Sequence, residues 1–175
     1  GYSYITRGDY RLNPEHPPLI KDLAALPLLF SKIKFPYDYW KANVPVVNNQ
    51  WQTGWKFLYE TVGNNPDQML IMARIPIMVL SLCLGVAVFL FAKKLFGSKA
   101  GIFALTLYVF DANIIAHSRF VTTDLGISFA LFINMMALFY YIEKPTRKRL
   151  AVAAITFFIA LVTKFSVAIL APVYA

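Results

Sequence analysis

A chain of 175 residues with 58% hydrophobic residues, 16% aromatics and a mean hydropathy of +0.55 exceeds the apolar share of about 45–50% found in ordinary soluble domains. That composition excludes a typical soluble enzyme domain and points to an all-α, polytopic membrane protein. The formal net charge of +8 falls largely in two short loops between apolar runs, so it is a topology signal, and nucleic acid is not the partner it indicates.

The first informative stretch is Asn13-Pro14-Glu15-His16-Pro17-Pro18-Leu19-Ile20-Lys21, which sets an acid, an imidazole and an amine around a proline pair. From there Leu19, Leu23, Leu26, Phe30 and Ile33 recur at steps of four and three, opposite Lys21 and Lys32, the pattern of an amphipathic helix. Such a helix would lie in the membrane interface. Pro17 suits its first turn, and Pro27 must bend or break it. Next come Tyr37, Tyr39, Trp40, Trp51, Trp55, Phe57 and Tyr59 among Asn and Gln. They read either as an interfacial aromatic collar or as a platform for a sugar or lipid head. Residues 1–69 thus form an extracytoplasmic loop with interfacial helices, and residues 70–175 the transmembrane helices of the same membrane domain.

About four transmembrane helices are predicted. Ile75–Ala92 and Leu125–Ile142 are uncharged runs that meet the length of about 17–25 residues a spanning helix needs. Ala100–Ile115 is shorter and holds Asp111, and Leu150–Ala175 is longer and holds Lys164. Lys93, Lys94 and Lys99 lie between the first two runs, and Lys144, Arg147, Lys148 and Arg149 between the last two. Both loops are therefore expected to be cytoplasmic, with the loop Ala116–Asp124 on the opposite face. The single Cys83 lies inside a run and offers no disulfide or metal cluster. Residue 1 is not Met and the last run stops without a tail, so the chain reads as a piece of a longer one.

The outer loop His117-Ser118-Arg119-Phe120-Val121-Thr122-Thr123-Asp124 holds a base and an acid within six residues. Thr122, Thr123 or Asp124 could cap the next helix, where an acid also meets the positive end of the dipole. Capping does not compete with chemistry, because a carboxylate fixed at a cavity mouth is well placed for it. Arg119 carries a fork that matches phosphate oxygens, with interfacial snorkelling as the plainer reading. Asp111 is a cap or a site residue. Lys164, roughly 21 Å into its run at 1.5 Å per residue, could reach the outer face or a shared cavity. Arg74 abuts the first run, where most arginines are anchors.

Taken together, Gly1-Tyr2-Ser3-Tyr4, the Asn13–Lys21 string, Leu26-Pro27-Leu28, Ala73-Arg74-Ile75-Pro76, Leu95-Phe96-Gly97, Asn113–Asp124 and Thr163-Lys164-Phe165 resemble, in order and spacing, the N-terminal part of phospholipid-carrier-dependent glycosyltransferases. These are membrane enzymes of the C-type glycosyltransferase fold, akin to protein O-mannosyltransferases and aminoarabinose transferases. The resemblance implies inverting transfer of a sugar from a polyprenyl-phosphate donor to a protein or lipid acceptor on the extracytoplasmic side of, most simply, a bacterial plasma membrane. It implies an acidic catalytic pair a few residues before Gly1, and a place for Asp124 as the acid of the next outer loop. Glu15 and His16 match an acid and basic pair that in some members holds a divalent metal or the donor phosphate; no other cofactor is implied. Asp111 departs from the pattern, since a proline or small residue is common there.

The chemistry fits that layout. A departing polyprenyl phosphate needs fixed cations, and His16, Lys21, Arg74, Arg119 and Lys164 are the available set, with His117 beside them. A carboxylate must take the acceptor's proton and face an oxocarbenium-like centre. Two other classes stay open. A transporter would also place charges between helices, although no repeat of broken helices is visible. A non-enzymatic membrane scaffold would leave Glu15, Arg119 and Asp124 unmotivated.

Overall fold

The computed structural model describes residues 1–43 and 49–170, and every regular element among them is helical. They fall into two units, Gly1–Pro76 and the residues from Ile77 onward. The division lies inside one long helix, at its internal proline, Pro76.

In the first unit, α1 (Tyr2–Arg7) and α2 (Leu19–Ala25) flank the proline-rich turn. Pro18 occupies the N-cap position of α2, so Pro17 stands just outside the helix. Helix α2 stops at Ala25 and tightens into a 3₁₀ turn, Leu26–Phe30. Pro27 is the cause: it has no N–H to donate and its ring collides with the carbonyl four residues back. The buried positions are Ile20, Ala24, Ala25 and Leu28. The stripe picked out from the sequence lies on another side, with Leu26 and Phe30 exposed. The segment is therefore apolar both where it packs and where it faces outward.

Helix α3 (Tyr37–Asn43) delivers Trp40 to the centre of this unit, where its indole is 2% exposed and donates to Asp9 Oδ2 at 2.9 Å. Arg11 grips the same carboxylate through Nε at 2.9 Å and Nη2 at 2.7 Å. The Arg11 guanidinium, aided by the Trp40 N–H, holds the Asp9 carboxyl well below the usual range. Tyr2, Phe35 and Phe57 cluster with centroids 5.0–6.3 Å apart. The Asn64 side chain ties residues 34 and 57 together, accepting from Lys34 N at 2.9 Å and donating to the carbonyls of Lys34 and Phe57 at 2.8 and 2.7 Å. Helix α4 (Asn49–Trp55) runs on as a π-turn over Lys56–Glu60.

Helix α5 (Pro66–Phe96) begins well before Ile75, the start expected from hydropathy. Asn65 and Pro66 explain this. The Asn65 side chain accepts from Gln68 N at 3.1 Å, and proline suits the first helical position because its missing N–H would be unpaired there anyway.

In the second unit, Gly97 sits at φ +87°, a conformation open to glycine, and turns the chain from α5 into α6 (Ser98–Phe110). The two helices come close at Gly101, where a Cβ would lie 3.0 Å from the Phe89 carbonyl oxygen. Tyr108 adds a hydrogen bond to the Ser81 carbonyl at 2.8 Å. Asp111 then breaks the expected second span. It adopts an extended backbone, and its side chain accepts from Ile114 N at 2.9 Å to cap α7 (Ala112–His117).

Helix α8 (Thr123–Glu143) and helix α9 (Arg147–Leu161) pack along their length around Ile127, Ala130, Ala160 and Val167. Small alanines permit the close approach. Asn134, fully buried, donates to Ala153 O and Thr156 Oγ1, each at 3.1 Å. A 3₁₀ turn, Phe165–Leu170, follows α9, and the last five residues of the expected fourth span lie outside the described residues.

Among the described residues two helices, α5 and α8, are long and apolar enough to cross a membrane. Helices α6 and α9, of 13 and 15 residues, are about 20 and 22 Å long at 1.5 Å per residue, short of a hydrocarbon core of about 30 Å. The α5, α6 and α9 surfaces expose Leu82, Val86, Leu90, Phe103, Leu107, Ile155 and Phe158, which suits contact with lipid.

Candidate functional site

The second unit collects charge at its two ends. At one, Lys94 meets Glu143 at 2.8 Å and lies 3.9 Å from the centre of the Tyr140 ring, with Arg149 3.7 Å from the same carboxylate. These residues come from the end of α5, the end of α8 and the start of α9. At the other end lie the start of α8 and the turn after α9.

There Thr122, in extended backbone, stands at the N-cap of α8, although its side chain makes no capping hydrogen bond. This puts Asp124 in the first turn, where a negative charge is favoured by the helix dipole. Helix α9 ends at Leu161, with buried Thr163 donating to Ile159 O at 2.7 Å, so Lys164 leaves the helix end pointing to α8. The Lys164 ammonium donates to Asp124 Oδ1 at 2.6 Å. His117, the last residue of α7, brings Nδ1 to 3.8 Å from Asp124 Oδ2 and to 3.5 Å from Thr122 Oγ1. The Asp124 side chain remains 46% exposed and that of Lys164 23%. The carboxylate is thus oriented by a cation and still open to a ligand. Arg119 is exposed on the connecting loop.

Three residues singled out in the sequence, His117, Asp124 and Lys164, therefore form one group drawn from the end of α7, the first turn of α8 and the turn after α9. Thr122 joins them, a member that spacing had marked only as a cap. Lys164 enters this group as the partner of Asp124 rather than as a free cation.

The first unit holds the other candidates. Glu15 and His16 are exposed on the proline-rich turn. Lys21 is half-buried and donates to Asn13 O at 2.6 Å, Asn13 Oδ1 at 2.6 Å and His16 O at 2.8 Å, with Tyr4 Oη at 3.3 Å. An ammonium has three protons, so this set employs all of them. Burial lowers the Lys21 pKa, and the nearby Asp22 and Glu15 charges oppose that shift. Lys21 thereby fixes the backbone that presents Glu15 and His16. Tyr4 reinforces the turn by donating to Asn13 O at 2.7 Å, and Asn13 Nδ2 reaches Gln50 Oε1 at 2.9 Å. Arg74 is half-buried two turns inside α5, not at a helix start.

Among the described residues no three of His, Cys, Asp and Glu come together in a metal-holding group. Glu15 and His16 alone supply too few donors for a divalent cation.

A sequence model of the family described as dolichyl-phosphate-mannose-protein mannosyltransferase matches residues 59–175, which takes in α5 to α9 and the whole Asp124 group. No curated protein and no solved structure matches the chain. The family match covers about two thirds of the sequence, and the chain belongs to the dolichyl-phosphate-mannose-protein mannosyltransferase family, a family of membrane glycosyltransferases.

Proposed function

We propose that the chain carries part of the catalytic centre of an enzyme that moves a sugar, with inversion, from a polyprenyl-phosphate donor to a protein or lipid acceptor on the extracytoplasmic face. The observation that carries this reading is the Asp124 carboxylate, oriented by Lys164 at 2.6 Å yet still open, in a member of a mannosyltransferase family. In the reaction the acceptor oxygen or nitrogen attacks the anomeric carbon. The bond from that carbon to the phosphate oxygen breaks with its electron pair going to the phosphate, and the acceptor's proton passes to a carboxylate. Asp124 supplies negative charge beside the oxocarbenium-like centre and takes part in that proton transfer. Arg119, a permanent and exposed cation, offers two parallel N–H groups to phosphate oxygens. His117 stands in the same group as Asp124 and offers the phosphate a hydrogen-bond partner. Arg74, Glu15 and His16 belong to the first unit, and their assignment to the donor rests on the resemblance of their motifs alone.

Orientation rests on the basic end of the second unit. Lys93, Lys94, Lys99, Lys144, Arg147, Lys148 and Arg149 belong in the cytoplasm by the bias of short loops. Helices α5 and α8 then cross singly, while α6 with α7, and α9 with its 3₁₀ turn, complete two further crossings. The Asp124 group faces the outside of what is most simply a bacterial plasma membrane.

The decisive experiment is Asp124→Asn in the full-length enzyme, with transfer from a polyprenyl-phosphate sugar measured in membranes. Transfer is expected to fall about 10²- to 10⁴-fold, the usual share of a general acid or base, while membrane insertion is unchanged. Near-normal turnover would sink the assignment.

A further inference from the structure

The aromatic residues after α3 take no part in the chemistry above. Trp51, Trp55 and Tyr59 recur at steps of four and are 75%, 60% and 53% exposed. Gln52, Lys56 and Glu60 recur at the same step one residue on, so α4 and its π-turn carry an aromatic stripe beside a polar one. A stripe stepping by four drifts around a helix of 3.6 residues per turn. The wider turn over Lys56–Glu60 counters that drift and keeps both stripes in line. Single π-turns of this kind occur often at functional sites.

Tyr39 of α3 closes the other side. Together with Trp51, Gln52, Trp55, Lys56 and Glu60 it lines a cleft of about 440 Å³, a size within the range of about 300–1,000 Å³ typical of small-molecule sites. The lining is held in place. Tyr39 Oη donates to Gln52 Oε1 at 3.2 Å, Lys56 lies 4.9 Å from the centre of the Tyr39 ring and 3.1 Å from Glu60 Oε2, and the Trp55 and Tyr59 rings are 4.6 Å apart.

We infer that this cleft binds a pyranose ring of a neutral glycan. A pyranose has an apolar C–H face and a rim of hydroxyls. The Trp faces match the first, while the Gln52 amide, the Lys56 ammonium and the Glu60 carboxylate supply donors and acceptors for the second. A bilayer surface also attracts exposed tryptophan. The cleft beside these rings, however, contains an ammonium–carboxylate pair, which lipid would have to desolvate. The site uses none of Glu15, His16, Asp124 or Lys164, and it stands whether or not the transfer reading holds.

The test uses the full-length protein in nanodiscs of phosphatidylcholine and phosphatidylglycerol, with mannotetraose and maltotetraose as probes. Binding is followed by saturation-transfer NMR and calorimetry. At least one oligosaccharide is expected to bind saturably. Trp55→Ala should weaken that binding by about tenfold, in line with the worth of one aromatic contact plus its buried area. Gln52→Ala, an exposed change that leaves the helix intact, should weaken it by a smaller factor at an unaltered melting temperature. Absence of saturable binding to both sugars would overturn the inference. So would unchanged affinity in both variants, or a Trp55→Ala effect seen only as altered partition of the protein onto vesicles of the same lipids.

Discussion

Lys164→Met isolates what the ion pair contributes. The change keeps most of the side chain's volume and removes the cation 2.6 Å from Asp124 Oδ1. An exposed pair is worth about 0.2–1 kcal/mol, and breaking a buried one costs about 3–5 kcal/mol. With the two side chains 23% and 46% exposed, the cost falls between these limits, at about 1.4–2 kcal/mol. If that energy serves to hold Asp124 for the transition state, the rate drops about 10- to 30-fold. The assay is initial-rate sugar transfer by the full-length enzyme across a range of donor concentrations. A positioning role predicts a lower kcat at an unchanged KM for the donor, with substantial recovery in Lys164→Arg. A loss confined to a raised donor KM would refute this reasoning and make Lys164 a phosphate ligand, as its charge alone had suggested.

Three further outcomes follow from the packing. Asn134→Ala removes two hydrogen bonds across the α8–α9 contact at an average of about 0.6 kcal/mol each within a membrane, plus a cavity, so the melting temperature in detergent should fall measurably while Asn134→Gln falls less. Gly101→Leu forces a side chain into a space where even a Cβ comes within 3.0 Å of the Phe89 carbonyl; the α5–α6 hairpin should fail to close, read as a protease-sensitive product in membranes. The Asp9 carboxyl, depressed chiefly by Arg11, contributes stability that is fully present above the unfolded value of about 3.9 and is lost only as pH falls through the lower folded value. Asp9→Asn should therefore destabilise equally at pH 5, 6 and 8 in urea titrations of the full protein, with the difference from wild type shrinking only at strongly acid pH.

Much of the helical framework was legible in side-chain patterning. Ile75–Ala92 and Leu125–Ile142 fall within α5 and α8, because an uncharged run of that length has few alternatives to a helix. The starts of helices were less legible, since Asn65 and Pro66 set the beginning of α5 through a cap and not through hydropathy. The break at Asp111 shows the same limit. Hydropathy averages over a single acid, whereas the backbone responds to its side chain, which satisfies an N–H that would otherwise be orphaned. In α2 the spacing correctly found an apolar stripe, but Ile20 and Ala24 of the neighbouring side are the ones buried. A short helix with apolar residues on two sides does not declare which of them faces the protein.

The site divides along a similar line. His117 and Asp124 are near neighbours in sequence, and Lys164 belongs at the same helical ends by counting residues through α8 and α9, so charge and length suffice to bring the three together. Lys21 is different. Its acceptors are the Asn13 and His16 carbonyls and the Asn13 amide oxygen, and carbonyls are groups that every residue carries. No residue-type pattern can single out those two main-chain acceptors. A lysine beside a proline-rich acid and imidazole pair looks like a phosphate ligand until the turn is built, and then the same cation is what shapes the turn. Adding an anion there would mean taking the ammonium away from short, half-buried acceptors, at a cost that an exposed cation does not have to meet. Within the second unit the donor's charge should fall to exposed Arg119, because Lys164 is likewise engaged, with Asp124.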